Sequence, residues 1–336
     1  MINGRAAVRT EIGGVERLAS EMQARLPRLS PGRYRVIEPP RGFAHRAGHA
    51  WEQAILPRRA AGCQLIYSPA NLAPVASRRN VVVIHDAAAL RHPEAYSRTY
   101  VTYQRLLLPQ LARRARLLIT VSEFSKRELV DLLGARPESI EVIPGGVGER
   151  FHARVDPGPA EHVLGLRKPY VLAVGTVSAR KNLDTLGRTE RALREKGIEL
   201  VVAGSDRDYL RPVSVPARRL GFVPDPLLPS LYAGARAVVL PSRYEGFGLP
   251  CLEAMACGVP VVCSPFGALP ETCGDGALVV DPADEIQFAE AVLSAACHEP
   301  TRGRLSVAGL ARAARYSWER TAELTDRAIE RLLREA

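Results

Sequence analysis

Short apolar runs alternate with longer amphipathic stretches along most of the chain. Gln64 to Tyr67, Val81 to Ile84, Leu117 to Val121 and Ile140 to Ile143 are rich in β-branched and aliphatic residues and end in polar or turn residues. Such runs predict strands buried on both faces of a parallel sheet. Val36-Ile37 adds a shorter one. Between them the spacing predicts helices from Gly14 through Leu26, over Ala50 to Arg59, over Tyr96 to Arg116 with a kink at Pro109, and over Phe124 to Gly134, which closes on a C-terminal glycine. The polar, proline-flanked stretch Pro157 to Pro169 reads as a linker between domains. The pattern then restarts, with strands at Tyr170 to Val174, Glu199 to Ala203, Ala237 to Leu240, Val259 to Cys263 and Ala277 to Val280, and a helix over Leu183 to Lys196.

This alternation predicts an α/β protein with a doubly wound sheet in each of two domains, residues 1–156 and 157–317. The amphipathic tail, Trp318 to Leu333, is expected to dock across both and to complete the first domain with residues 318–336. The opening is the weak point. In Met1 to Arg9 only Ile2, Ala6, Ala7 and Val8 join Met1 as apolar residues, which implies either a start placed too late or a weak N-terminal edge to the sheet.

Length agrees with two domains, since 336 residues exceed one ordinary core. A hydrophobic content of 46% with 24% charged residues describes a globular chain. No apolar run reaches membrane-spanning length and no signal-peptide core is present, so a cytoplasmic location is expected. The six cysteines form no CxxC pair and no ligand spacing with histidine, implying reduced core thiols. Charge changes the picture more. Residues 1–160 hold 24 Lys/Arg against 14 Asp/Glu, and residues 161–336 hold 22 against 22, so the net charge of +10 lies wholly in the first half. A basic half-chain suits an anionic membrane face or a lipid diphosphate as peripheral partner. Nucleic acid is excluded as a partner because no reading motif accompanies the charge.

The chemistry concentrates in Ser242 to Pro260, a glycine loop (Gly246-Phe247-Gly248) after an apolar run and before a helix opened by Pro250. That order aims free backbone N–H groups beyond the strand end and makes a phosphate cradle. Glu245 stands at its entrance and Glu253 in what reads as the first helical turn. Ligands of open parallel sheets bind off the strands' carboxyl ends. There too fall the Gly13-Gly14 turn, His85-Asp86, and Arg180-Lys181 after Gly175-Thr176. Adjacent cations beside a cradle can hold a diphosphate without metal. Two metal readings compete: Asp206-Arg207-Asp208 matches a DxD pattern, although it also suits capping, and His45 and His49 have i,i+4 spacing with Gly48 between and no third ligand. Tyr96, Tyr100 and Tyr103 with Leu106 and Leu107 form a stripe read as core rather than as an acceptor groove.

Taken in order, nine stretches resemble glycosyltransferase family 4, the retaining nucleotide-sugar transferases of GT-B fold. They are Gly13-Gly14-Val15-Glu16-Arg17, Trp51-Glu52-Gln53 with Ser68-Pro69, His85-Asp86, residues 120–125, Val142 to Val147, Gly175-Thr176 with Arg180-Lys181-Asn182, Gly221-Phe222-Val223, Glu245 to Glu253, and Leu269-Pro270-Glu271. The resemblance implies two Rossmann-like domains facing each other across a cleft, the first on the acceptor side and the second holding a nucleotide-sugar donor. It implies that Glu253, second of a Glu-x7-Glu pair, accepts the ribose hydroxyls and that Glu245 lies near the donor sugar. Amides of Phe247, Gly248 and Leu249, after Gly246, would serve the sugar and phosphates. Arg180 and Lys181 would stabilise the departing diphosphate, with Gly175 ahead of them, and Val223 would contact the base. His85 would approach the donor sugar, and Gly13 and Gly14 would lie over the phosphates. No cofactor and no metal are implied. Attack from the leaving-group face would retain configuration; on the residues alone, His85 or Asp86 as a general base for inversion stays open. The Trp51-Glu52-Gln53 and Ser68-Pro69 features resemble the mannosyl- and rhamnosyltransferase branch, so GDP-mannose is the expected donor and a saccharide or lipid-linked hydroxyl the acceptor. A UDP- or dTDP-sugar enzyme with a soluble acceptor is the alternative, and a non-catalytic anion- or membrane-binding protein is the rival class. A Rossmann oxidoreductase lacks its GxGxxG and acidic residue. Gly146 stands where relatives carry Asn and reads as neutral.

Overall fold

The computed structural model describes the chain except residues 10–11, 41–42, 44–47, 167–168, 208, 211–212 and 336. Two compact units are present. One comprises Met1–Arg91, Thr99–Gly146 and Ser317–Ala336, the other His92–Arg98 and Val147–Tyr316.

The first unit holds a parallel sheet of β1 (Ile2–Asn3), β2 (Val36–Ile37), β3 (Ile66–Ser68), β4 (Asn80–Val83), β5 (Leu117–Thr120) and β6 (Ile140–Val142), in the order β2-β1-β3-β4-β5-β6. The thin first strand is therefore not an edge. Two residues of β1 pair with β2 on one side and β3 on the other, and Ile2 is fully buried between them. Residues 5–8 turn away instead of extending the strand. The second unit holds β7 (Tyr170–Val174), β8 (Glu199–Ala203), β9 (Arg218–Gly221), β10 (Ala237–Leu240), β11 (Val261–Cys263) and β12 (Ala277–Val279), in the order β12-β11-β10-β7-β8-β9 and again parallel. Its strands alternate residues between two cores. Tyr170, Leu172, Val201 and Val238 pack on one face, and Val171, Ala173, Val202 and Val239 on the other. Coverage on both faces is why these strands read as continuous apolar runs.

Three expectations are corrected. The stretch read as a linker contains a helix, Gly158–Leu164, with Pro159 in its first turn and Gly165 closing it in the left-handed region. The tyrosine stripe is core only in part: Tyr96 is buried just before the Arg98–Arg114 helix and Tyr103 and Leu107 pack half-buried against the core, whereas Leu106 is exposed and the helix's fully buried face is Val101, Gln104, Leu108 and Leu111. Residues 50–59 are helical but not uniformly α. Trp51–Ile55 forms a π turn, in which Leu56 N–H bonds back to Trp51 O, just before Pro57.

The tail helix, Trp318–Arg334, docks on the first unit against the Gly14–Leu29 helix. Its Asp326 accepts from Ser30 Oγ (2.8 Å), Arg33 (2.8 Å) and Tyr34 O–H (2.6 Å), while Thr321 Oγ1 donates to Pro144 O at 2.8 Å. Where the tail begins, Gly146 is not neutral. A Cβ there would lie 2.3 Å from both Ser317 C and Trp318 N. Backbone meets backbone, so no rotamer change relieves the overlap. Gly146→Asn should therefore destabilise the first unit by about 2 kcal/mol or more. A urea denaturation midpoint at or above that of the wild type would contradict this.

Candidate active site

In an open parallel sheet the binding crevice lies where the strand order reverses. In the second unit β7 is followed outward by β8 and β9 on one side, whereas β10 opens the other, so the loops after β7 and β10 flank that point. Both candidate motifs sit on these loops.

The loop after β7 runs over a backbone closely packed at glycines. Gly175 has φ of 141°, and a Cβ there would meet Lys181 Cε at 2.8 Å and Nζ at 2.9 Å. A Cβ on Gly204, at the end of β8, would meet Gly175 O at 1.8 Å. Glycine at 175 thus leaves the path along which Lys181 lies. A 3-10 turn, Ala179–Lys181, then presents Arg180 and Lys181, and Asn182 leaves it in the left-handed region that Asn tolerates. Asn182 ties the two loops together: its Nδ2 donates to Pro241 O (3.1 Å), and its Oδ1 accepts from Arg243 Nε (2.8 Å). Arg243 N–H also donates to Arg180 O at 2.8 Å.

Glu245 is the hub. Lys181 Nζ reaches its Oε1 at 2.6 Å, Ser242 Oγ donates to the same oxygen at 2.7 Å, and Arg180 lies 3.1 Å from Oε2 while donating to Tyr244 O at 2.6 Å. Glu245 and Lys181 are each only 7% exposed. Burial alone would raise the carboxyl's pKa, but the Lys181 and Arg180 charges, with bonds from Lys181 and Ser242, hold it at about 2. The neighbouring motif Leu269-Pro270-Glu271 braces this loop. Ala268 N–H donates to Glu245 O (2.8 Å), Gly267 packs on the Glu245 backbone, and Leu269 fills the space beside Gly248. Gly248 (φ 103°) caps the Leu249–Ala256 helix, with Pro250 in its first turn. Glu253 therefore lies in the second turn, not the first, and its Oε2 accepts from Tyr232 O–H at 2.9 Å. Val223 is buried after β9, whose Gly221 O accepts from Gly204 N–H at 2.8 Å. So Gly175, Arg180, Lys181, Glu245, Gly246, Phe247, Gly248, Leu249, Glu253 and Val223 all belong to the second unit.

Gly13, Gly14 and His85 belong to the first. Gly13 caps the Gly14–Leu29 helix and donates to Glu16, which also pairs with Arg9 at 2.9 Å. His85 is buried after β4. Its Nε2 lies 3.0 Å from Pro69 O, which can only accept, so Nε2 carries the proton and Nδ1 remains an acceptor. Burial lowers its pKa and favours this neutral form. Asp86 caps the next turn through Ala88 N–H at 3.0 Å. Asp206 is held by Arg219, 2.9 Å from both its oxygens; Asp208 and His45 lie outside the described residues. Sequence reasoning missed Tyr232 and the tying role of Asn182. Ser242, at the loop's start, could have been found from its place three residues before Glu245.

Two parallel six-stranded sheets, one in each unit, define a two-domain α/β protein of doubly wound type. The family model described as Glycosyltransferase Family 4 matches residues 15–150, and that described as Glycosyl transferases group 1 matches residues 168–298. O-antigen chain mannosyltransferase B of Escherichia coli is 35% identical, covering 76% of this chain and 71% of the relative. D-inositol 3-phosphate glycosyltransferases of Kribbella flavida and Streptosporangium roseum are 32% and 30% identical, covering 64% and 87% of this chain but 56% and 68% of their own. The chain belongs to glycosyltransferase family 4. Sucrose-phosphate synthase from Thermosynechococcus elongatus (TM-score 0.74, 20% identity, 100% of this chain and 99% of that one) and Anabaena HepE in complex with UDP-glucose (TM-score 0.75, 19% identity, 98% of each) share its GT-B fold.

Removing the hub's charge should be costly. Glu245→Gln removes the carboxylate that pairs with buried Lys181 and half-buried Arg180 and should destabilise the protein by about 3–5 kcal/mol at neutral pH. Because the folded-state pKa is depressed, this advantage of the wild type should be complete above about pH 4.5 and shrink as pH falls toward 2. A wild-type-to-variant difference that stays constant over pH 5 to 2 in denaturant melts would refute it.

Proposed function

We propose that this glycosyltransferase moves a hexose, mannose first among candidates, from a nucleotide diphosphate sugar to a saccharide or lipid-linked hydroxyl, with retention and without a metal. The observation that carries the reading is the Arg180-Lys181 pair fixed by one carboxylate beside the Gly246-Phe247-Gly248 cradle. Arg180 and Lys181 together bring positive charge to where a diphosphate would depart, backed by the amides of Phe247, Gly248 and Leu249. Such preorganised charge stabilises the leaving group without reorganisation during the reaction. The incoming hydroxyl's proton passes to the leaving phosphate, so no enzyme base is needed. Its engaged Asp86 and the neutral, Pro69-bound His85 favour this over inversion; His85 keeps one acceptor, suited to a donor-sugar hydroxyl. Glu253 is assigned to the ribose and Val223 to the base. The relationship to O-antigen chain mannosyltransferase B supports mannose and GDP-mannose. A second reading, a small-molecule acceptor with a UDP- or dTDP-sugar donor, draws support from the two D-inositol 3-phosphate glycosyltransferases.

A thermal-shift panel of GDP, UDP, dTDP and ADP tests this, each with and without EDTA. GDP should raise the melting point most, with or without chelator. No shift from any diphosphate would end the donor assignment, and a shift abolished by EDTA would end the metal-free one. In turnover, Lys181→Ala should cost about 10²–10³-fold in kcat. Among the described residues no helix is long and apolar enough to cross a membrane. We assign any membrane contact to the basic first unit, acting peripherally at the inner face. Sedimentation with phosphatidylglycerol vesicles should then be lost at 0.5 M salt, and equal sedimentation with neutral vesicles would exclude it.

A further inference from the structure

A buried polar cluster in the first unit has no part in the reading above. Its sheet order, β2-β1-β3, reverses between β1 and β3, so the crevice of that sheet lies where these two strands end. Asn3 ends β1 and Ser68 ends β3, and Asn3 Nδ2 donates to Glu52 Oε1 (2.6 Å) while lying 3.3 Å from Ser68 Oγ. Arg5 Nε lies 3.3 Å from the same Glu52 oxygen. The Glu52 side chain is wholly enclosed and that of Arg5 is 4% exposed. Yet Glu52 Oε2 and one terminal nitrogen of Arg5 have no hydrogen-bond partner among the described residues. Glu52 rises from the π turn Trp51–Ile55, a distortion common at functional sites. Burial raises the Glu52 pKa, and buried polar atoms left unsatisfied on a distorted turn at a sheet's reversal point are poorly explained by packing alone.

His49 lies three residues before Glu52 and meets Tyr103 of the Arg98–Arg114 helix. Nδ1 and the phenol oxygen are 3.0 Å apart, with the rings edge to face at 5.2 Å. Both are half-buried. Burial, then the charges of Arg5 and Arg9, lower the His49 pKa to about 4, so the ring is neutral at physiological pH. A neutral imidazole joined to a phenol through Nδ1 leaves one donor and one acceptor in either tautomer. If the phenol donates, Nε2–H is the donor and the phenol oxygen the acceptor; if Nδ1–H donates, Nε2 accepts and the phenol O–H donates. A hydroxyl, itself both donor and acceptor, is the complement. Arg5 pairs with Glu52 and Arg9 with Glu16, and it is the neutral His49–Tyr103 pair itself that a neutral hydroxyl matches.

We propose that His49 and Tyr103 recognise a hydroxyl of a neutral saccharide acceptor, and that Arg5 and Glu52 are positioning residues holding this pair at the end of β1. The inference rests on the transferase reading for the word acceptor, but the binding itself can be tested without turnover. The probe is methyl α-D-mannopyranoside, observed by saturation-transfer NMR on the full chain, with inorganic phosphate as competitor. The wild type should bind the sugar, phosphate should not displace it, and Tyr103→Phe and His49→Ala should each weaken binding about five- to tenfold, the loss of one hydrogen bond. Glu52→Gln should weaken it as well, and in an acceptor-dependent assay should raise the acceptor KM while leaving kcat within about twofold, a split that general damage does not produce. The nucleotide-induced melting shift should survive in all three. Absence of sugar binding in the wild type, displacement by phosphate, unchanged binding in Tyr103→Phe, or loss of the nucleotide shift along with the sugar signal would each overturn the proposal. If the wild type shows no nucleotide shift but binds the sugar through these residues, the donor reading fails and this one stands.

Discussion

A carboxylate with almost no water around it holds the second unit's site together. Glu245 lies on the loop after β10, Lys181 and Arg180 on the loop after β7, and the bonds between them close the gap at the point where the sheet's order reverses. Coulomb attraction at these distances is strong only because the pair is buried, and burial is tolerable only because Ser242 and two cations satisfy the anion. The stability of this loop pair and the proposed chemistry thus draw on the same three side chains.

Close backbone approach is the second constraint, and it is set by residues without side chains. Gly204 admits the Gly175 carbonyl, Gly175 admits Lys181, and Gly267 admits the backbone of Glu245. Gly146 does the same for the tail helix in the first unit, far from these loops in sequence. At each place a methyl group would displace a polar contact that the fold needs elsewhere, so the packing of glycine and the geometry of charge are not separable.

The strands were legible because burial on both faces leaves only apolar residues to choose from, as in Val81–Val83 or Ala237–Leu240. The site motifs were legible because phosphate chemistry demands glycine and paired charge in a fixed order. What escaped reading lacks such a demand. The Arg218–Gly221 strand is a polar edge whose arginines face outward in part, and the Gly158–Leu164 helix hides behind its own prolines. The helices Glu285–Cys297 and Glu299–Ala313 were not assigned; in the second only Leu305, Gly309 and Ala313 are buried, too narrow a stripe to stand out along the chain. Gly146 was misread because a glycine's neighbours across a fold leave no local trace. Tyr232 reaches Glu253 from a different helix, a pairing that only the tertiary structure brings about.

The two units meet the same topological situation with different side chains. Each parallel sheet gathers polar side chains at the carboxyl ends of the strands flanking its reversal point. In the second unit the gathered groups are Lys181 and Arg180 with Glu245, a charged set. In the first, Arg5 pairs with Glu52 and Arg9 with Glu16, and beside them a neutral imidazole meets a phenol, both half-buried. The first unit carries the basic excess of the sequence, yet the His49–Tyr103 pair is itself uncharged. Net charge therefore predicts the partner of a surface, while the pairing of individual charges decides what a crevice can hold. In a transferase the distinction follows the chemistry: one substrate brings a diphosphate, and the other brings only a hydroxyl.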